Sequence, residues 1–372
     1  MDVFGHVVDS VYRFFSTDCE FINTYSRKTV TCETCRQCKK SHLQFLRRFQ
    51  TWADREAKEP NHEPNKESQL DREAKEPNHE PNEESQLAWI DQQIKMRKKD
   101  LDANEVACFQ SFLTSFHRNH VVIYKFSIDM TVDKLCCLLN HTWLNDEVVN
   151  FYMCLLQVRS DRHVQRSKEN PSYRPFQARS SHYFNSFFMS KILEQGTYQY
   201  ALVKRWTKKF DIFEKEKIFF PVNISNTHWT LLVLFVQVRQ IHYYDSMNGR
   251  GTKYLNTILQ WVVDEGKDKK KIEVDTSGWL LVDHYNTDEV KQILSANGNE
   301  EFFKTKYRQN FPAELNYVPQ QNNGYDCGMF LCMNSDFITD DVPLLDAFSQ
   351  QDMEHFRLKI GTDIIRGTLN YT

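Results

Sequence analysis

Residues 54–87 are one 17-residue unit written twice, DREAKEPNHEPNKESQL and then DREAKEPNHEPNEESQL, differing only at Lys66 against Glu83. The unit is charged, rich in Pro and Asn, and almost free of apolar side chains. Such a stretch cannot bury enough surface to offset its chain entropy, so it reads as a disordered spacer. Two copies are too few and too polar to stack as a solenoid. The duplication therefore divides the chain into an N-terminal segment 1–53, a linker 54–87, a charged helical lead-in 88–104 and a globular body 105–372.

Within the 372 residues, the 40% hydrophobic content is low because part of the chain lies outside any core. The 27 Phe, 16 Tyr and 7 Trp still supply ample apolar area. The body has α+β punctuation. TVDKLCCLLNHTWLNDEVVNFYMCLLQVRS has helical spacing. HWTLLVLFVQVRQIHYYDSMNG reads as two strands, 229–237 and 240–245, joined by a tight turn. GTKYLNTILQWVVDEG reads as a helix, IEVDTSGWLLVD as a strand and CGMFLCMNSDFI as a buried helix. A net charge of −3 gives no global field toward nucleic acid, and no direct nucleic-acid binding is expected. No run approaches a membrane span, and no secretory signal is visible at the N-terminus. The ten cysteines then belong to a reducing compartment, nucleus or cytoplasm, with Cys136, Cys137 and Cys154 as inert packing thiols.

PQQNNGYDCGMF, residues 319–330, runs a lone thiol from a turn into an apolar helix. A free thiol near pKa 8.5 is mostly protonated at neutral pH and needs a base or a helix N-terminus to become a nucleophile. Cys327 has the second directly, since the loop ends and the helix begins there. His228 opens the first strand and is the candidate base. Asp245 closes the neighbouring strand. If the two strands pair as a hairpin, these side chains become neighbours and the carboxylate can hold the imidazole tautomer. Gln321 sits across the turn from Cys327, so its amide can donate to a developing oxyanion beside the Cys327 N–H. Gln320 is a rival for that role, and Asp245 can also be read as a cap of the SMNG turn. Gly328 reads as room for a carbonyl substrate. His242 and Cys332 read as structural.

At these residues the chain resembles the SUMO-specific (ubiquitin-like-protein-specific, sentrin-specific) cysteine proteases, in the order His, Asp, Gln, Cys. The similar stretches are WLNDEVVNFYM, FNSFF, VKRWTKKFDIF, PVNISNTHW, YYDSMNG, TSGW and PQQNNGYDCGMF, spread from about residue 105 to the C-terminus. The resemblance implies a ubiquitin-like-protease, papain-like α+β fold with a central mixed sheet flanked by helices. It implies His228, Asp245 and Cys327 as catalytic residues, with Gln321 at the oxyanion hole. It gives Trp143 and Trp229 as the walls of a tunnel for the modifier's Gly-Gly tail. Flat aromatic walls admit glycine and reject side chains, so specificity arises by exclusion. It also gives Asp146 as a contact to an arginine of the modifier, against an exposed acidic N-cap. Arg205 and Trp206 belong to the modifier-facing surface or to the packing of the body.

The implied activity is hydrolysis of the bond after a C-terminal Gly-Gly of SUMO, by a monomer without a required cofactor. Alternatives are a protease for another ubiquitin-like modifier and a catalytically silent SUMO-binding module. Residues 158–182 and 280–318 are longer than the family's usual links; both are expected to border the substrate side, and a helix is expected within the second. Outside the resemblance, Cys32, Cys35 and Cys38, with Cys19 and His42, have spacing that can hold a structural zinc; the alternative is a set of free thiols in a poorly ordered segment. That segment can also be read as a zinc-dependent partner-binding module. KMRKK (95–99) reads as a solvated helix end or a nuclear address.

Overall fold

The computed structural model describes residues 21–22, 29–30, 83–170, 173, 180–283, 285, 318–344 and 347–369. The chain divides into two units, Met1–Asn78 and His79–Thr372. In the first, Phe21–Ile22 pairs antiparallel with Thr29–Val30. The possible zinc ligands, most of the tandem repeat, and the helix expected within 280–318 lie outside the described residues.

The second unit is α+β. Its main helices are α1 (Glu83–Lys98), α2 (Ala103–Ser115), α3 (Asp146–Glu169), α4 (Thr252–Glu265), α5 (Cys327–Thr339) and α6 (Met353–Arg366). Its five-stranded sheet runs β1 (His182–Tyr183), β2 (Lys217–Ile224), β3 (His228–Phe235), β4 (Gln240–Tyr244) and β5 (Leu280–Val282), in that spatial order. The β2–β3 and β3–β4 pairs are antiparallel, while β1 and β5 join at the edges in parallel. A hairpin, Val121–Lys125 with Ile128–Thr131, lies apart from this sheet. No helix among the described residues is long and apolar enough to cross a membrane.

HWTLLVLF carries no polar alternation because β3 is buried on both faces. Leu232 and Leu234 face one way, with their register partners Phe220, Ile218, Tyr243 and Ile241, and pack against Leu255, Ile258, Trp261 and Val262 of α4. The residues between them face the other way, where α5 packs on β3. Every residue of α5 is buried.

Three expectations shift. β3 begins at His228 and ends at Phe235; Val236–Arg239 form the turn, and Arg239 takes a left-handed φ of 56°. Val236 and Val238 read as strand because both are buried. Of IEVDTSGWLLVD only Leu280–Val282 joins the sheet, since the Asp275 side chain accepts the Ser277 N–H at 2.9 Å and turns the backbone away. The helical run before α3 breaks into short turns, Val132–Leu135 and Cys136–Leu138.

α1 begins inside the second copy of the repeat. Its Trp89, Gln93 and Arg97, four residues apart on one stripe, are buried. Arg97 Nε donates to Asp336 Oδ1 at 2.9 Å and its Nη2 lies 2.5 Å from Asp340 Oδ2. KMRKK is thus not uniformly solvated: Arg97 is interior, with Lys95, Lys98 and Lys99 exposed. From α3, Arg159 meets Asp336 at 2.6 Å and His163 meets Asp340 at 2.9 Å. These two residues belong to the 158–182 stretch, so its helical part braces the C-terminal end of α5. That end lies roughly 15–20 Å from Cys327 at the rise of an α-helix, and residues 171–172 and 174–179 of the stretch lie outside the described residues.

Burying a charge pair is tolerated only while it stays paired, and removal of one partner is strongly destabilising. Replacing Arg97 by Ala is expected to lower unfolding stability by about 3–5 kcal/mol. Urea denaturation of the full chain checks this, and a change near zero would show that α1 does not anchor α5.

Candidate active site

β3 and β4 pair so that Leu231 faces Tyr244. Continuing that register by one residue sets Asp245 opposite Thr230, whose side chain shares a face with His228 two residues earlier. His228 and Asp245 are then diagonal neighbours, close enough for their side chains to meet. His228 Nε2 lies 2.8 Å from Asp245 Oδ1. A carboxylate only accepts, so the imidazole proton sits on Nε2 and leaves Nδ1 as the basic nitrogen. That Nδ1 is buried, and Asp245 holds the ring through Nε2.

Asp245 holds its place through the turn that follows it. Its Oδ1 also accepts the Met247 N–H at 2.8 Å, and its Oδ2 accepts the Gly249 N–H at 3.0 Å. A Cβ at position 249 would stand 2.3 Å from Oδ2, so this close approach requires glycine. Asp245 therefore does both things the sequence left open: it caps the SMNG turn and orients the histidine. The start of the 280–318 stretch is tied to the same turn. Asp283 accepts the Gly251 N–H at 3.1 Å, and the Tyr285 hydroxyl donates to Asn248 O at 2.9 Å.

Cys327 is buried at the first position of α5. Burial opposes the charged imidazole of His228, but the hydrogen bonds and charges of Asp245 and Cys327 outweigh it and raise the pKa to about 9. Burial likewise opposes the Asp245 carboxylate, yet His228 and the turn N–H groups hold it below its ordinary range. The imidazole is thus a strong base beside the sulfur, set to hold the proton that the thiol gives up.

Gln321 is fastened to the turn after Asp245. The Ser246 hydroxyl donates to its Oε1 at 2.6 Å, and its backbone N–H donates to Ser246 O at 3.0 Å. One side-chain N–H donates to Asn323 O at 2.5 Å, and Nε2 makes no other hydrogen bond among the described residues. Its amide is therefore oriented, with a second N–H left to give. Gln320 has no such freedom, because its amide donates to Val318 O at 2.7 Å and to Asp245 O at 3.3 Å.

The two tryptophans differ. Trp229 is buried, and its indole donates to Leu144 O at 2.9 Å. Trp143 is 50% exposed, and its indole donates to Gly324 O at 2.7 Å, just ahead of the nucleophile. The space beside Gly328 is occupied by protein rather than open to substrate: an added Cβ would meet Leu144 at 2.8 Å and Trp229 at 3.1 Å. The glycine lets α5 approach Leu144 and Trp229.

Asp146 is not the cap of α3; Asn145 is, accepting the Val148 N–H at 2.9 Å. Asp146 is half-buried and accepts from Ser186 Oγ at 2.6 Å. Arg205 is exposed, whereas Trp206 packs edge-on to Phe188 at 5.5 Å. His242 is buried, and burial pushes its pKa down to about 3. Cys137 and Cys154 are pushed up to about 11 by burial, as inert thiols are. No cluster of three or more metal-binding side chains occurs among the described residues.

The sequence reading missed three positioning groups. Ser246 orients Gln321. Asp326, at the N-cap position of α5, makes no capping bond. Arg357 lies on the buried face of α6, spaced with Met353, Phe356, Ile360 and Ile364, and that spacing was its available signal.

The profile described as the Ulp1 protease family, C-terminal catalytic domain, matches residues 142–295 and 297–368. Ubiquitin-like-specific protease 1A of Arabidopsis thaliana is 33% identical over 254 residues, 67% of this chain and 42% of that protein. Putative ubiquitin-like-specific protease 1B of the same plant is 33% identical over 273 residues, 72% of this chain and 67% of that protein. Homo sapiens Sentrin-specific protease 2 is 32% identical over 252 residues, 68% of this chain and 35% of that protein. The chain thus spans less than half of the first and third of these relatives. Among solved structures, the C-terminal Ulp1 protease domain in complex with Smt3, the yeast ortholog of SUMO, superposes with a TM-score of 0.53 at 25% identity, covering 72% of this chain and 96% of that one.

The geometry carries a pH signature. A histidine with pKa near 9 when folded and about 6.5 when unfolded stabilises the fold fully below pH 6.5, and this contribution is lost as pH rises through 9. Asp245→Asn is expected to flatten the fall in melting temperature across that window, read by calorimetry. An unchanged slope would show that the pair is not formed.

Proposed function

The chain belongs to the Ulp1 protease family, and on that premise we propose that it is a thiol protease that hydrolyses the bond after the C-terminal Gly-Gly of SUMO, in conjugates or in precursors. The single observation that carries this reading is the buried imidazole of His228, held through Nε2 by Asp245 and interacting with Cys327 at the start of a buried helix.

The chemistry follows from that arrangement. His228 Nδ1 takes the Cys327 proton, and the resulting imidazolium stays paired with the thiolate. The sulfur attacks the glycine carbonyl. The oxyanion formed is met by the Cys327 N–H and the second Nε2 proton of Gln321. As the tetrahedral intermediate collapses, His228 passes its proton to the leaving amine, and a thioester on Cys327 remains. His228 then takes a proton from water, which attacks the thioester and releases the glycine carboxylate and the thiol.

The substrate class rests on relatives. The name of the solved complex gives SUMO as the partner of that protein, and the resemblance implies Trp143, Asp146 and Trp229 as the residues that would meet it here. A reducing compartment, nucleus or cytoplasm, suits the chemistry, and Cys136, Cys137, Cys154, Cys327 and Cys332 are free thiols.

Incubation with SUMO and with ubiquitin, each carrying a C-terminal vinyl electrophile, tests the reading. SUMO is expected to be captured covalently, and Cys327→Ala to abolish capture. Capture of ubiquitin alone overturns the substrate, and capture of neither overturns the activity. Gln321→Ala is expected to lower kcat on a SUMO amide reporter by on the order of 10²–10³ with little change in KM. A loss confined to KM would remove Gln321 from the oxyanion hole.

A further inference from the structure

Aspartate is among the strongest helix N-caps, because its carboxylate accepts first-turn N–H groups. Asp326 stands at the N-cap position of α5, one residue before Cys327, and caps nothing. Its carboxylate is turned away and fully engaged elsewhere. Oδ1 accepts from Arg357 Nε at 3.0 Å and Nη2 at 2.6 Å. Oδ2 accepts from Asn323 Nδ2 and from Gln350 Nε2, each at 2.7 Å. Asp326 and Arg357 are both 2% exposed. The rest of the guanidinium is spent on the segment leading to Trp143. Nη1 donates to Cys137 O at 2.9 Å and to Leu139 O at 3.1 Å, and Nη2 to Thr142 O at 2.8 Å.

A carboxylate released by Arg357, and let go by Asn323 and Gln350, would fall onto the N-terminal turn of α5 once the Asp326 backbone turned from φ −93°, ψ 4° into the extended region. There it would take up the N–H groups and oppose negative charge on the adjacent sulfur. The groups that face the turn are His228 from β3, Asp245 from the end of β4 and Arg357 from α6, with Cys137 buried beside the guanidinium.

We propose that Arg357 is a positioning residue for the thiol chemistry, which restrains Asp326 from capping α5 so that the helix N-terminus serves the Cys327 sulfur and the oxyanion, and which fixes the segment carrying Trp143 to the same point. This rests on the protease reading above and adds to it a residue outside the reacting groups.

The test uses the full chain and two readouts. One is the rate of Cys327 alkylation by iodoacetamide against pH, corrected with Cys327→Ala. The other is kcat and KM on a SUMO amide reporter. Arg357→Gln is expected to move the alkylation curve to higher pH by on the order of half a unit or more and to lower kcat. Asp326→Asn in the Arg357→Gln background is expected to return the curve toward its original position, since the released side chain then carries no charge. A folded Arg357→Gln protein with an unmoved curve overturns the proposal, and so does an equal displacement in the double variant. If Arg357→Gln does not fold, Arg357→Lys replaces it: a displaced curve, returned by Asp326→Asn, supports the proposal, and a curve unmoved while kcat falls overturns it. The alkylation arm needs no modifier, so its failure is distinguishable from failure of the capture assay.

Discussion

A helix buried on all sides cannot send its carboxylates to water, and this constraint organises the molecule. α5 carries Cys327 at one end and Asp336 and Asp340 at the other, all interior. Two buried carboxylates without partners would be prohibitive. Arg97 from α1 and Arg159 and His163 from α3 supply the partners, and burial notwithstanding they hold Asp340 well below the usual carboxylate range, while Lys217 from β2 donates to Ile338 O beside them. Elements from three distant parts of the chain therefore meet at the far end of the nucleophile's helix.

The sheet solves a different problem, that of bringing a base to the sulfur. Antiparallel pairing makes register a matter of counting, so a histidine at the start of β3 and an aspartate just past β4 must converge. This much was legible in HWTLLVLF and IHYYDSMNG, because an apolar run ended by a polar turn encodes both strand and partner. The ends of the strands were less legible. Val236 and Val238 are buried in a turn and carry strand-like residues, and the TSGW segment is bent by an aspartate side chain whose local bond no periodicity reveals.

The buried cations were the least legible part. In composition Arg97, Arg159 and Arg357 look like solvent-facing charges, yet each lies on a buried stripe of its helix. The stripe marks burial but cannot name the partner: Arg97 and Asp336 are 239 residues apart and Arg357 and Asp326 are 31 apart. Helical spacing is local information, and ion pairing across a core is not. The oxyanion group was half legible. An amide near Cys327 could be read, but choosing Gln321 over Gln320 depends on which amide is exhausted by backbone carbonyls.

Trp143 and Trp229 show how the same economy extends to the substrate path. Trp229 is locked by Leu144 and by the close approach that Gly328 permits, so it forms a fixed wall against the helix start. Trp143 is the next residue along from that anchor, half exposed and tied to Gly324 by one indole hydrogen bond. A single hydrogen bond contributes little net stability, on the order of 1 kcal/mol, so this second wall can be displaced at small cost while the first cannot. Under the proposed function, an extended chain entering between them would meet one rigid surface and one adjustable surface. Glycine suits such a passage because its backbone can lie flat against an indole where any Cβ would hold the walls apart. Under the proposed function, burial of one tryptophan and exposure of the other would divide the labour, the buried ring fixing one wall and the exposed ring supplying an adjustable one.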